Sequence, residues 1–410
     1  MTKKIGWAAS AAIFVTGSAF AQSSVTLYGL IDVGINYVNN VQVGRNADGS
    51  LAGRSLVSMS DGTMRGLGGS RWGLKGSEDL GGGLSAIFTL ENGFYLNNGA
   101  LGQGGAEFGR QAFVGLSSPF GTITAGRQYD TQADFVFQYS PSLIAGISGA
   151  VPGDVDGLGH TRRTNNAIKY LSTTYRGISF GGMYSLGGRP GDFTANQIWA
   201  LGAGYTGADF SVGVGYYNGR DPNLASFGNN PNAGPATSNN MGSFGSAESA
   251  QSNPIYAGYA SAHTFEIFSG GGSYKIGSAI LALTFSHSAF KGLGDMEAGP
   301  NPLGYHGTAV FNNGTATVAY WVTPALQLGG AYTYTRGGGA NGRGGATYQQ
   351  GILGVQYFLS KRTELYFTGV YQAASGTDSL GQRAVANVEL VTPSSTSHQF
   401  VGRVGVLQRF

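Results

Sequence analysis

Apolar and polar residues alternate with period two in short runs from Val25 to the end of this 410-residue chain. In the first run Val25, Leu27, Gly29, Ile31, Val33, Ile35 and Tyr37 share one face, and Thr26, Tyr28, Asp32, Gly34 and Asn36 share the other. The last run sets Phe400, Gly402, Val404, Val406 and Phe410 against Val401, Arg403, Gly405 and Arg409. Successive side chains of a strand point to opposite sides, so each run predicts a strand with one apolar and one polar face. Sixteen such runs begin near Val25, Ser70, Leu84, Phe108, Gly121, Asn166, Ile178, Ile198, Phe210, His263, Ile280, Thr315, Leu326, Tyr348, Glu364 and Gln399. The connections alternate in length. Short ones (78–83, 117–121, 176–177, 206–209, 276–279, 323–325, 360–363) separate long ones (40–69, 97–107, 129–165, 187–197, 219–262, 288–307, 337–347, 372–397). An even strand number, short turns at one rim and long loops at the other predict an all-β fold, a sixteen-stranded antiparallel transmembrane β-barrel with long external loops. Alternation alone suits a soluble sandwich equally well; the loop rhythm does not.

The amino-terminal segment bears on that choice. It starts Met1-Thr2-Lys3-Lys4, runs apolar to Phe20 and reaches Ala19-Phe20-Ala21. A basic start, a short apolar core and small residues at the minus-three and minus-one positions predict a cleaved secretory signal peptide over 1–21, leaving one domain, 22–410. Gly6, Ser10, Thr16, Gly17 and Ser18 interrupt the stretch, so it lacks the roughly 18 clean apolar residues of an anchoring helix. The chain has no cysteine, so no disulfide framework supports the exported part. It holds 72 glycines, 23 Phe and 22 Tyr, and only 11% charged residues, against about a quarter in an ordinary soluble domain. The formal charge is +3, of which Lys3 and Lys4 supply two. This composition favours a bacterial outer-membrane barrel; a soluble exported adhesin is the competitor, and would stay dissolved without detergent.

Strand parity assigns a basic wall. With Trp72 and Leu74 facing lipid, Arg71, Gly73 and Lys75 face the lumen. With Gln111 and Phe113 outward Arg110 points inward, and with Ile168 and Tyr170 outward Arg163 and Lys169 do the same. Arg127 stays ambiguous. The third long connection, 129–165, carries Phe135, Phe137, Tyr139, Leu143, Ile144 and Ile147. That is too apolar for a freely solvated loop, so it is expected inside the barrel. Its Asp130, Asp134, Asp154 and Asp156 are candidates for an acidic edge opposite the basic wall. A unit charge about 5 Å from a passing ion contributes roughly 0.8 kcal/mol in water-like dielectric. Three or four unpaired cations would then favour anions by roughly 2–3 kcal/mol before salt screening.

Enzyme chemistry finds no support. His160, His263, His287, His306 and His398 are scattered, in no spacing of a triad or a metal site. The glycines at 337–339 lack the strand–helix context of a nucleotide fingerprint. No catalytic group, metal, cofactor or nucleic-acid partner is expected.

Several motifs carry a resemblance. Residues 70–80 read Ser-Arg-Trp-Gly-Leu-Lys-Gly-Ser-Glu-Asp-Leu, followed by Gly-Gly-Gly-Leu-Ser-Ala-Ile-Phe-Thr-Leu-Glu. Residues 109–117 read Gly-Arg-Gln-Ala-Phe-Val-Gly-Leu-Ser, and 126–130 read Gly-Arg-Gln-Tyr-Asp. With Val25-Thr26-Leu27-Tyr28-Gly29 and the terminal Phe410, these resemble the trimeric general porins of Gram-negative bacteria, in the branch found in Burkholderia, Comamonas and Neisseria relatives. The resemblance spans the whole mature chain. It implies a homotrimer in the outer membrane, in contact with lipid and lipopolysaccharide, that passes small hydrophilic solutes and ions by diffusion. It implies that the third loop folds inward and narrows the pore. Arg71, Arg110 and the Arg162-Arg163 pair match basic positions of the narrow zone, and Phe410 matches the signal read by the outer-membrane assembly machinery. The enteric branch has a lysine where this chain has Leu30. A weakly anion-preferring general diffusion channel is the expected function; a substrate-specific outer-membrane channel is the alternative.

Overall fold

The computed structural model describes residues 23–228, 237–295, 299–342 and 344–410. The expected signal peptide, 1–21, lies outside the described residues. Among the described residues, seventeen β-segments form one sheet closed on itself. They are β1 (Ser24–Arg45), β2 (Leu51–Asp61), β3 (Arg71–Gly81), β4 (Leu84–Gly93), β5 (Gln111–Ser118), β6 (Gly121–Gln128), β7 (Thr164–Ser172), β8 (Ile178–Ser185) and β9 (Ile198–Thr206). There follow β10 (Phe210–Arg220), β11 (Thr264–Ile276), β12 (Ala279–Leu293), β13 (Gly307–Thr323), β14 (Leu326–Gly337), β15 (Ala346–Phe358), β16 (Thr363–Gly376) and β17 (His398–Arg409). All pairings are antiparallel, and β1 meets β17 from Leu30↔Arg409 to Val38↔Val401, which closes the cylinder. Closure satisfies backbone groups that an open edge would strand in hydrocarbon.

The faces are inverted relative to a soluble domain. Val25, Leu27, Val114, Ile123, Leu201, Leu283, Leu353 and Val404 stand exposed on the outside. Their inward neighbours include Asp32, Asn36, Thr333, Gln350, Gln372 and Arg403, all buried. Among the described residues no helix is long and apolar enough to cross a membrane. Crossing falls to the strands.

Seventeen segments make sixteen wall strands because β2 and β3 are two halves of one. β2 pairs with β1 from Val33↔Asp61 to Arg45↔Leu51, and β3 from Ser24↔Ser77 to Leu30↔Arg71. Between them residues 62–70 leave the wall and turn into the lumen, beginning with the single turn α1 (Gly62–Arg65). Asp61 caps that turn, accepting from the Thr63 N–H at 2.7 Å. The expected long first connection over 40–69 is thereby corrected. β1 continues to Arg45, only 46–50 intervene, and β2 takes up 51–61. Ser55, Ser58 and Ser60 beside Leu56, Val57 and Met59 blur the apolar contrast in β2, so its period was not legible. The later short turns fall within a few residues of their expected places, as at 277–278 and 324–325.

The connection from β6 to β7 folds into the lumen, with two short helices, α2 (Thr131–Phe135) and α3 (Ser142–Ala145). It rests on a shelf of inward-facing strand glycines. An added Cβ at Gly202 would lie 2.4 Å from the Phe135 ring, and one at Gly213 would lie 2.0 Å from the Phe135 carbonyl oxygen. At Gly271 it would lie 2.8 Å from Tyr139, and at Gly354 2.4 Å from Ile144. The absent side chains of these glycines make room for the loop. Strand amides then fasten it from the far wall. Gln350 Nε2 donates to the Ala150 carbonyl at 3.0 Å and Gln356 Nε2 to the Leu143 carbonyl at 3.2 Å. Nearer the long-loop rim, Phe265, Phe290 and Phe311 of the wall pack with Tyr256 and Tyr259 of the 221–263 connection in an apolar cluster. The open path is therefore off-centre, toward β1 and β3 to β7.

Candidate functional site: the waist of the lumen

β3 begins with Arg71 at the interruption of its wall strand, and Arg71 lines the lumen there. β5 begins directly after Arg110, and β7 directly after Arg163. Alternate wall segments β3, β5 and β7 thus each present one guanidinium on the same side of the lumen. All three line a cavity of about 840 Å³ together with Tyr28, Glu91, Tyr129 and His160.

Their environments differ. Arg110 is buried, and its Nε donates to Glu91 Oε1 at 2.8 Å, with Nη2 reaching the Tyr129 hydroxyl at 3.2 Å. Tyr28 also donates to Glu91, at 2.9 Å. Arg163 lies over the Tyr129 ring, 4.7 Å from its centroid, and donates to the Tyr129 hydroxyl. Among the described residues Arg71 makes no ion pair or side-chain hydrogen bond, and it borders the cavity. His160 is sandwiched between Tyr129 and Phe137, with centroids 4.8 and 3.6 Å away. Burial, and after it the cations Arg163, Arg110, Arg71 and Lys169, push this imidazole down to about 3, so it is neutral at working pH. Net waist charge is two positive: three guanidinium groups against the Glu91 carboxylate.

The other expected basic residues lie elsewhere. Lys75 sits lower on β3, over the Tyr28 ring at 5.4 Å. Lys169 is buried, its ammonium donating to Asp134 at 3.0 Å and to the Tyr129 carbonyl at 3.0 Å. Arg162 turns away from Arg163, over Phe227 and Phe265 at 5.2 and 5.4 Å. It lines a second cavity of about 570 Å³ with Arg127, Tyr256 and Glu389. Arg127, ambiguous by parity, thus reaches the upper cavity, its guanidinium on the Gly109 carbonyl and Asn165. A register shift between Gly126 and Gln128 re-aims it.

None of the four loop aspartates lines the lower cavity. Asp130 caps α2, accepting from the N–H groups of Gln132 at 2.8 Å and Ala133 at 3.4 Å. Asp134 takes the Lys169 ammonium. Asp154 holds the loop's return, accepting from Gly159 N–H at 2.6 Å and Thr161 N–H at 3.1 Å. Asp156 accepts from Ser286 Oγ of β12 at 2.8 Å and from Leu158 N–H at 3.1 Å. Their oxygens are spent on fastening the loop rather than on facing the arginines. The carboxylate at the waist is Glu91, which parity alone does not single out; its place on β4, the strand that pairs directly with β5 after Arg110, is the available signal.

The two cavities share Gln103, Thr161, Arg163 and Leu390. They adjoin at these residues, the first extending past the arginines to Leu30, Arg409 and Phe410. At the lower end Phe410 is tied to Gly29 by two backbone hydrogen bonds of 3.0 and 3.1 Å, its ring lying where a Gly29 Cβ would be.

Residues 8–377 match the family described as Gram-negative porin. The chain is similar to the outer membrane porin protein of Bordetella pertussis, at 34% identity over 90% of this chain and 94% of that one. It is also similar to outer membrane porin protein 32 of Delftia acidovorans, at 31% identity over 49% of this chain and 55% of that one. Among solved structures the anion-selective porin from Comamonas acidovorans shares the fold, with a TM-score of 0.68 at 20% identity, covering 95% of this chain and 100% of that one. The trimer form of OmpT of Vibrio cholerae superposes with a TM-score of 0.60 at 18% identity over 95% and 99%.

Proposed function

Since the chain belongs to the Gram-negative porin family and resides in the outer membrane, we propose that its barrel is a general diffusion channel for small hydrophilic solutes and ions, weakly anion-preferring and assembled as a homotrimer. One observation carries this reading: two adjoining cavities inside the barrel, of which the lower is lined by Arg71, Arg110 and Arg163 against Glu91. Arg110 is largely offset by its carboxylate partner, so about two net charges act on a passing ion. At roughly 0.8 kcal/mol each in water-like dielectric they favour anions by about 1.6 kcal/mol, less under salt. This is a bias, not a filter.

The homotrimer is supported by the low wall. β5, β6 and β8 have eight residues each, against 17 in β13. Eight residues tilted about 40° rise roughly 20 Å, short of the roughly 25 Å apolar band of such barrels. Neighbouring protomers would cover that side, and outer-membrane lipid and lipopolysaccharide the tall one. Residues 1–21 act as the export signal and Phe410 as the assembly signal in this reading.

Reversal potentials across planar bilayers in a salt gradient test it. A modest anion-side potential is expected, and cation preference overturns the sign. Liposome swelling with sugars of graded size is expected to fall smoothly; saturation by one solute would favour a substrate-specific channel.

A further inference from the structure

We propose that residues 62–70, where the second wall strand breaks, form a second constricting element of the waist, and that Asp32 and Arg403 are the residues that position it. The proposal rests on the diffusion reading and adds to it a part of the wall that loop 129–163 does not supply.

The geometry starts from the lining. Gly62, Thr63, Met64 and Leu67 all border the lower cavity, across from Phe137 and His160 of the inward loop. The two elements touch. The Gly66 carbonyl oxygen faces Gly146, where an added Cβ would lie only 1.7 Å away, and Gly146 has φ 57°. Displacing either segment would therefore open the waist or release the other.

What holds the insert is buried charge. Arg403 of β17 donates through Nη2 to Asp32 Oδ1 of β1 at 3.0 Å, with both side chains at 0% exposure. Arg403 also donates to the Tyr366 hydroxyl at 2.6 Å, to Asn36 Oδ1 at 2.8 Å and to Ser60 Oγ at 2.9 Å. Asp32 then reaches the insert. Its Oδ2 accepts from the Gly68 N–H at 3.1 Å, and its own N–H donates to Ser70 Oγ at 3.0 Å. Gly62 and Gly66 pack against the same carboxylate, with added Cβ atoms falling 2.5 and 2.4 Å from its atoms. A buried ion pair is a poor source of stability, because desolvation offsets its attraction. β1 and β17 are already joined along their backbone register, so closure does not need it. An apolar pair in its place would fill the space, but it would offer nothing to the Gly68 N–H. Fixing the insert is what this pair does that packing cannot.

The absence of cysteine in the chain permits a direct test. Met64→Cys in refolded full-length protein is expected to react with a small cationic methanethiosulfonate, with stepwise loss of single-channel conductance. Val57→Cys, on the outer face at 71% exposure, is expected to leave conductance unchanged. For positioning, the double variant Asp32→Asn, Arg403→Gln removes both charges without stranding one. It is expected to raise conductance and to speed modification of Met64→Cys. Should it not fold, Tyr366→Phe, which takes one donor from Asp32 and keeps the charges paired, is expected to move conductance the same way. Complete labelling of Met64→Cys, verified by mass, with unchanged current would overturn the constricting role. Unchanged conductance in the folded double variant, or failing that in Tyr366→Phe, would overturn the positioning role. An unsubstituted protein that passes no current would instead overturn the diffusion reading itself.

Discussion

Arg110 and Glu91 meet at 2.8 Å on adjacent strands, both buried beneath the Tyr129 hydroxyl that Arg110 also reaches. The pair makes the waist less positive than a count of its arginines suggests, and Glu91 is the adjustable member. Glu91→Gln keeps a hydrogen-bond acceptor for Arg110 and Tyr28 while removing the charge. Anion preference is expected to rise, read as a larger reversal potential in the same salt gradient. Loss of the charged hydrogen bonds is expected to lower stability by about 1–3 kcal/mol, read by thermal unfolding in detergent.

Arg71 is the complementary case. With no ion pair or side-chain hydrogen bond among the described residues, its guanidinium is expected to act on passing ions rather than on the fold. Arg71→Gln is expected to lower anion permeability by up to roughly fourfold at low salt, and with it the anion-to-cation permeability ratio. Its unfolding temperature is expected to change little, within about 0.5 kcal/mol of stability.

The glycine shelf makes a steric prediction. A side chain at Gly213 meets the Phe135 backbone at 2.0 Å, and backbone cannot rotate aside as a side chain can. Gly213→Val is expected to lift α2 from the wall, at about 1–3 kcal/mol of overpacking. The measurable sign is a changed size cutoff in liposome swelling. An unaltered cutoff in a folded variant would count against the shelf.

Two buried loop carboxylates give a pH dependence. Burial, and after it the Asp154 charge, raise Glu389 to about 8, partly opposed by Arg162; burial and Asp154 likewise raise Asp156 to about 7. The ordinary values are 4.5 and 3.8. A carboxyl whose folded value is raised binds more protons folded than unfolded across that interval. Stability is therefore fully present below the ordinary value and falls as pH rises, from about 4 to about 8. Glu389 also borders the upper cavity, so its ionisation places a negative charge on the path. Anion preference is expected to decline between pH 7 and 9, and Glu389→Gln to flatten that decline. His160, neutral throughout, contributes nothing there.

The sequence by itself determined the barrel, its inside-out polarity, its loop rhythm and the inward arginines. Each of these follows from period two or from chain-local composition, which a strand's own geometry converts into faces. Parity sends Arg71, Arg110 and Arg163 inward from runs whose outward partners are mostly apolar, and all three border the lower cavity. Only the tertiary structure decided which charges stay free. Glu91 neutralises Arg110 through sheet register, the loop aspartates turn to caps and fastenings, and Arg162 parts from Arg163 to lie over Phe227 and Phe265, rings from distant parts of the chain. The break between β2 and β3 was equally hidden, since it is held open by Asp32 and Arg403, residues 371 positions apart that meet only when the cylinder closes. Periodicity is a property of neighbours along the chain; charge pairing belongs to neighbours across the lumen.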